Sequence, residues 1–481
     1  MSPKLVMSKL GLVVFAAAAT SCAAPPPDEV QVEEGHAALS AVSLGGSLPG
    51  ISATTFAAAK ANFQQVEGIT DGLGPIFNER ACGNCHANGT TGGAGQNVER
   101  RYGTFDNVFA PGGFDPLGQF GGSLRQLFSL GNFNNPVFHG GPPSNPTLCS
   151  VPVEVTPAAA TIRNVGRMTT PLFGLGLIDA MPDTFFDALA AAEPAATRGV
   201  VNRSQIALPN VHDASQFVGQ TRVNRFGWKA AVPSLAQFAA DAYVNEMGIT
   251  TQHCSQGINV TAFATESAPN GVSMPLGCDD LAPPQSVANL TAGVPAGTDD
   301  AVGSCAGGRN ELQGDVDNFT LFMTFLAPPG PDAQDHADPI SIDAGRPLFA
   351  AMGCANCHVD SSVSSGALAT AAAYQTPNAP PNGVPGNFAF HPYSDFLAHD
   401  MGNLGDNIGL NAGDSPAEAR RMRTAPLWGI KVKNLLLHDG RTTDIPTAIR
   451  AHDGQAATAR NAFNALSPAD QHDVVQFIRS L

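Results

Sequence analysis

Ala81-Cys82-Gly83-Asn84-Cys85-His86 and Gly353-Cys354-Ala355-Asn356-Cys357-His358 repeat one pattern, C-x-x-C-H, once in each half of the chain. The spacing has a chemical reason. Two thiols one helical turn apart reach the two vinyl groups of a haem, and the next residue sets an imidazole beneath the iron. The cysteine and histidine content predicts roughly 0.004 such motifs by chance. The pair therefore predicts two covalently attached haem c groups. Cys82, Cys85, Cys354 and Cys357 would attach them, with His86 and His358 as proximal iron ligands. A disulfide or a redox-active C-x-x-C is the competing reading. A zinc site would need a second ligand pair nearby, and the sequence around each motif holds none.

The composition agrees. The chain has 481 residues, 43% hydrophobic and only 14% charged, with 51 Gly and 38 Pro. That balance predicts a mostly α, loop-rich protein in which large prosthetic groups give small folds an apolar body to pack around. The formal net charge is −16; residues 1–21 hold two lysines and no acids, so removing them leaves about −18. Such acidity argues against nucleic acid as a partner. It suits a basic redox partner protein, as electron donor or acceptor, with plain solubility as the alternative.

The first residues read as an export signal. Lys4 and Lys9 precede an apolar run over residues 10–19, and Thr20 and Ser21 then lead to Cys22. The run is too short for a permanent membrane span. Residues 1–22 therefore read as a lipoprotein-type signal with Cys22 as the lipidated residue, although Ala19 stands where such signals usually carry Leu. Residues 23–50 read as a flexible spacer. The expected location is periplasmic, or anchored to a bacterial outer membrane through the lipid alone; plain secretion is the alternative. Cys149, Cys254, Cys278 and Cys305 remain, an even number that allows two disulfides in three pairings. The last three fall in residues 253–310, a polar stretch that reads as a disulfide-bearing insertion.

Residues 51–327 then form a first haem c domain and residues 338–481 a second, divided at Ala327-Pro-Pro-Gly-Pro-Asp332. Residues 232–247 carry apolar side chains at helical spacing, and residues 318–326, 342–352 and 470–481 read as helical too. Met168-Thr-Thr-Pro-Leu-Phe-Gly-Leu175 lines up with Arg423-Thr-Ala-Pro-Leu-Trp-Gly-Ile430, at 82 and 65 residues from the motif histidines. The expected fold is a tandem of two cytochrome-c-like units.

Five ordered motifs carry a family resemblance. Gly72-Leu-Gly-Pro-Ile-Phe-Asn78 runs into the first C-x-x-C-H. Arg225-Phe-Gly-Trp-Lys-Ala230, Tyr393-Ser-Asp-Phe-Leu-Ala-His-Asp-Met-Gly402, Arg423-Thr-Ala-Pro-Leu-Trp-Gly429 and Leu437-His-Asp-Gly-Arg441 follow. Together, over roughly residues 60–481 without the insertion, they resemble the di-haem oxidoreductase family, related to the bacterial di-haem cytochrome c peroxidases. The resemblance implies two facing haem domains and peroxidase-type chemistry. Peroxide would be reduced at the His86 haem, with electrons entering at the His358 haem. A pure electron-transfer cytochrome, or oxidative modification of an organic substrate, would use the same irons, and these alternatives stay open.

The other axial positions decide between them, because a filled sixth site suits electron transfer and an open one suits peroxide. Peroxidase relatives place a ligating Met just before the His-Asp-Gly stretch. Leu437 stands there, which leaves His438 and Met401 as candidate distal ligands of the second haem. At the first haem, Asp179 matches the acidic residue that relatives use as general acid–base. Met181 is its rival, since a thioether there would close the site; both residues also read as packing a turn before Pro182. Trp228 lies between the two C-x-x-C-H motifs and reads as core packing ahead of electron transfer.

Overall fold

A computed structural model describes residues 43–68, 73–74, 76–95, 98–129, 153–249, 251–255, 258–263, 314–330 and 338–481. Cys22, Cys149, Cys278 and Cys305 lie outside the described residues, as does the side chain of Cys254, so the signal and the disulfide pairings do too.

The first segment forms α1 (Ala53–Phe63), α2 (Leu235–Met247) and α3 (Asp315–Phe325). The second forms α4 (Pro339–Ala351), α5 (Ile445–Ala451), α6 (Ala457–Ala465) and α7 (Pro468–Arg479); further helices lie between, among them Asp183–Ala192 in the first segment. The ends of these helices follow from local chemistry. Ser52 caps α1 by accepting from Thr55 N at 3.0 Å, and Ser234 caps α2 by accepting from Gln237 N at 3.1 Å. Gly248 ends α2 at φ 69, a conformation that disfavours a Cβ. Phe56, Ala59 and Phe63 share one buried face of α1. That face stacks its rings on Phe319 and Phe322 of α3, with Phe63 at 5.8 and 4.8 Å. Tyr243 of α2 meets Phe319 edge-on at 5.2 Å.

β1 (Val98–Asp106) is the centre of a four-stranded antiparallel sheet with β2 (Gly113–Asp115), β3 (Leu124–Arg125) and β4 (Ile162–Met168). β1 places Arg100 opposite Arg125 on β3 and Val98 opposite Met168 on β4. This sheet, α2 and α3 surround the first C-x-x-C-H turn.

One arrangement occurs twice. α1 precedes the first motif and packs on α3; α4 precedes the second and packs on α7. The repeated stretches correspond in backbone geometry, since Gly174 and Gly429 both have φ 67. Gly174 N donates to Leu326 O just beyond α3 at 2.9 Å, and Gly429 N donates to Leu481 O just beyond α7 at 2.8 Å. In the second unit α4 approaches α7 so closely that a Cβ on Gly345 would lie 2.1 Å from Asp473 O.

The largest apolar core draws on both segments, from Phe63, Leu177 and Phe322 to Phe396 and Trp428. A smaller one lies between α4, α6 and α7, with Phe349, Phe463 and Phe477. Buried charge ties the segments as well. Asp406 lies 2.6 Å from Arg167 and 2.6 Å from Lys229. Burial opposes ionisation of Asp406, but these two cations outweigh it and hold the carboxyl well below its usual range. Among the described residues, no helix is long and apolar enough to cross a membrane.

Candidate functional site

Each C-x-x-C-H forms a single turn. His86 N donates to Cys82 O at 3.0 Å, and His358 N donates to Cys354 O at 3.0 Å, so each pair of thiols sits one turn apart. None of these four cysteines is in a disulfide. Burial raises Cys82 well above an ordinary thiol, Cys354 to about 12, and Cys357 in the same direction. A disulfide-exchanging C-x-x-C needs the opposite shift, a thiol stabilised as thiolate. Burial also lowers His86 and His358 to about 4, leaving both rings neutral at pH 7, the form that binds a metal. The donor chemistry of both turns fits a haem.

Beside His86 lies a cavity of about 620 Å³ that Cys82, Cys85 and His86 help to line. That volume falls within the roughly 300–1,000 Å³ of cofactor pockets. Phe63, Leu172, Phe319 and Met323 give it apolar walls, and the Phe63 ring centre stands 5.8 Å from that of His86. Trp228 closes another side, fixed by its Nε1 donating to Met168 O at 2.6 Å.

The remaining wall is charged. Glu99 and Arg101, two apart on β1 and so on one face of the strand, pair at 2.8 Å. Asp241 and Glu246 come from α2. Burial raises Glu99, but Arg101 and then Arg167 outweigh it and hold the carboxyl below its ordinary value. Burial and the neighbouring Glu99 push Glu246 up to about 8, although Asn78 Nδ2 donates to it at 2.7 Å. The two carboxyl groups hydrogen-bond each other, so one is ionised while the other keeps its proton. Burial raises Asp241 to about 6 against the pull of Arg101. A carboxyl pair split in this way can hold and release a proton near neutral pH.

The second centre is built differently. His358 Nδ1 donates to Tyr393 O at 3.0 Å, leaving Nε2 for a metal. Phe349 and His452 pack on its ring, at 6.4 and 6.5 Å between centres. Behind it, His399 Nδ1 lies 3.7 Å from Cys357 Sγ, and its Nε2 lies 2.8 Å from Asp395.

The residues singled out in the sequence disperse. Asp179 and Met181 are buried but do not line the cavity. Asp179 pairs with Arg222 at 2.5 Å and accepts from Gln216 at 3.3 Å; Met181 belongs to the main core. His438 packs on Trp228, with ring centres 6.3 Å apart, at the side of the first cavity. Met401 starts a turn whose Gly402 lies against Gly454. Sequence reasoning passed over Glu99, Asp241, Glu246 and His452. Two signals were there: the Glu99-x-Arg101 alternation in a strand, and a second His-Asp-Gly at residues 452–454 matching residues 438–440.

Residues 284–481 match the family described as "Di-haem oxidoreductase, putative peroxidase". No curated protein matches the chain.

Proposed function

We propose that the chain, whose residues 284–481 match the di-haem oxidoreductase family, is a tandem of two cytochrome-c-like domains with a haem c attached in each. It reduces peroxide at the His86 centre with electrons received through the His358 centre. The observation that carries this reading is the cavity of about 620 Å³ in which His86 shares the lining with the Glu99–Glu246 pair. Among the described residues, no second histidine lines that cavity.

Bound haem supplies the electron-transfer chemistry and a Lewis-acidic iron. The chain's own residues do the rest. His86 would hold the iron, and the apolar walls would exclude water. Glu246 holds a proton at the charged wall, Glu99 is poised to accept it, and Arg101 keeps Glu99 ionised. Reducing a peroxide to water or alcohol consumes two electrons and two protons, so a proton-holding carboxyl beside the iron answers a chemical need. The acidic surface suits a basic protein as electron donor. Export and a lipid on Cys22 complete the proposal and rest on the sequence alone.

Methionine favours a second reading. Met168, Met247 and Met323 line the same cavity, and a thioether on the iron would make both centres electron carriers. The test is ligand binding and peroxide reactivity of the half-reduced protein. One haem should bind cyanide and be oxidised rapidly by hydrogen peroxide while the other binds nothing. Two low-spin haems that bind no ligand in any redox state would overturn the peroxidase reading in favour of the electron carrier.

A further inference from the structure

We propose that His452 is the second axial ligand of the haem attached at Cys354 and Cys357, so that this iron lies between His358 and His452. The proposal rests on the di-haem reading above.

The distance comes first. The two ring centres are 6.5 Å apart with planes inclined at 60°. A metal–imidazole bond of roughly 2.0–2.1 Å, plus about 1.2 Å from nitrogen to ring centre, separates two trans imidazoles on one metal by about 6.4 Å. The tautomers come second. His358 Nδ1 lies 3.0 Å from Tyr393 O and His452 Nδ1 lies 2.8 Å from Ala448 O. A carbonyl only accepts, so both rings carry the proton on Nδ1 and both Nε2 atoms are uncommitted. Each ring is thus oriented by a backbone carbonyl.

His452 is held in place by the chain itself. Asp444 caps α5 by accepting from Thr447 N at 2.9 Å, and His452 is the residue at which the chain leaves the helix. Arg460 donates to His452 O at 2.8 Å and to Asp453 Oδ1 at 2.9 Å. Asn403 N donates to Asp453 Oδ2 at 3.0 Å, so the turn that begins at Met401 clamps the same loop. A ring serving only as a donor to the end of α5 explains the Nδ1 contact. It does not explain a second, equally oriented imidazole at ligand spacing.

The experiment uses the full chain matured with haem, as wild type, His452→Ala and His452→Met. Haem content is measured first by mass under denaturing conditions. A wild-type chain without haem at Cys354 and Cys357 sinks the di-haem reading and this proposal with it. With two haems present, electron paramagnetic resonance of the oxidised wild type should show a low-spin bis-imidazole signal. His452→Ala should lose that signal, gain a high-spin one, and recover low spin when imidazole is added. His452→Met should stay low-spin, with the potential of that haem raised. An unchanged low-spin signal in a His452→Ala protein holding both haems overturns the proposal and leaves the di-haem reading standing. If that variant does not assemble, an unchanged spectrum and potential in His452→Met overturns it instead.

Discussion

The two C-x-x-C-H centres have the same local turn and opposite surroundings. At His86 the chain leaves a cavity of about 620 Å³ walled by Glu99, Arg101, Asp241 and Glu246. At His358 it brings the ring of His452 to 6.5 Å and packs Phe349 at 6.4 Å. The motif itself sets only what lies within one helical turn. What faces the histidine comes from elements far along the chain: β1 and α2 at the first centre, the end of α5 at the second. The same five-residue pattern can therefore serve a reactive site or a closed one, and the difference lies in packing.

The sharpest way to break the comparison is to remove one centre at a time. Cys85→Ala and Cys357→Ala should each lower covalent haem from two per chain to one, read by mass under denaturing conditions. Only Cys85→Ala should also abolish cyanide binding; loss of cyanide binding in Cys357→Ala alone would reverse the roles of the centres. Next comes proton handling. Glu246→Gln should slow peroxide turnover about 10²–10⁴-fold with both haems retained. The acting form is the protonated acid, and burial raises Glu246 to about 8. The wild-type rate should therefore hold at neutral pH and fall as pH rises through that value, and the variant's profile should lack this limb.

Asp179 sharpens the same contrast. Its carboxylate belongs to Arg222, at 2.5 Å in the core, so Asp179→Asn should cost about 3–5 kcal/mol of stability. Turnover per folded molecule should stay near wild type. Chemical unfolding set beside specific activity checks this; a slow enzyme of unchanged stability would return Asp179 to the catalytic role. The smallest effect concerns the second unit alone. Gly345→Ala would press a Cβ against Asp473 O, 2.1 Å away. It should cost about 1–3 kcal/mol and loosen the α4–α7 pair while leaving the His86 centre unaltered, as monitored by haem spectra during thermal melting.

The two C-x-x-C-H turns were legible in the sequence because their geometry is local: five residues and one turn determine it. The helical stretches 232–247, 318–326, 342–352 and 470–481 were legible from their spacing of apolar residues and fall on α2, α3, α4 and α7. So was the repeat, whose two glycines share φ 67. Family resemblance and chain proximity did not reach the groups that line the cavity beside His86. Asp179 and Met181 follow the repeated stretch in sequence, yet α2 and the sheet fill the cavity wall instead. His438 and His452 carry the same His-Asp-Gly triplet; one packs on Trp228 and the other on His358. Nothing in the triplet distinguishes them. Only the tertiary structure does, because an axial or proton-handling partner is selected by distance in space, and close packing brings residues together without regard to their separation along the chain.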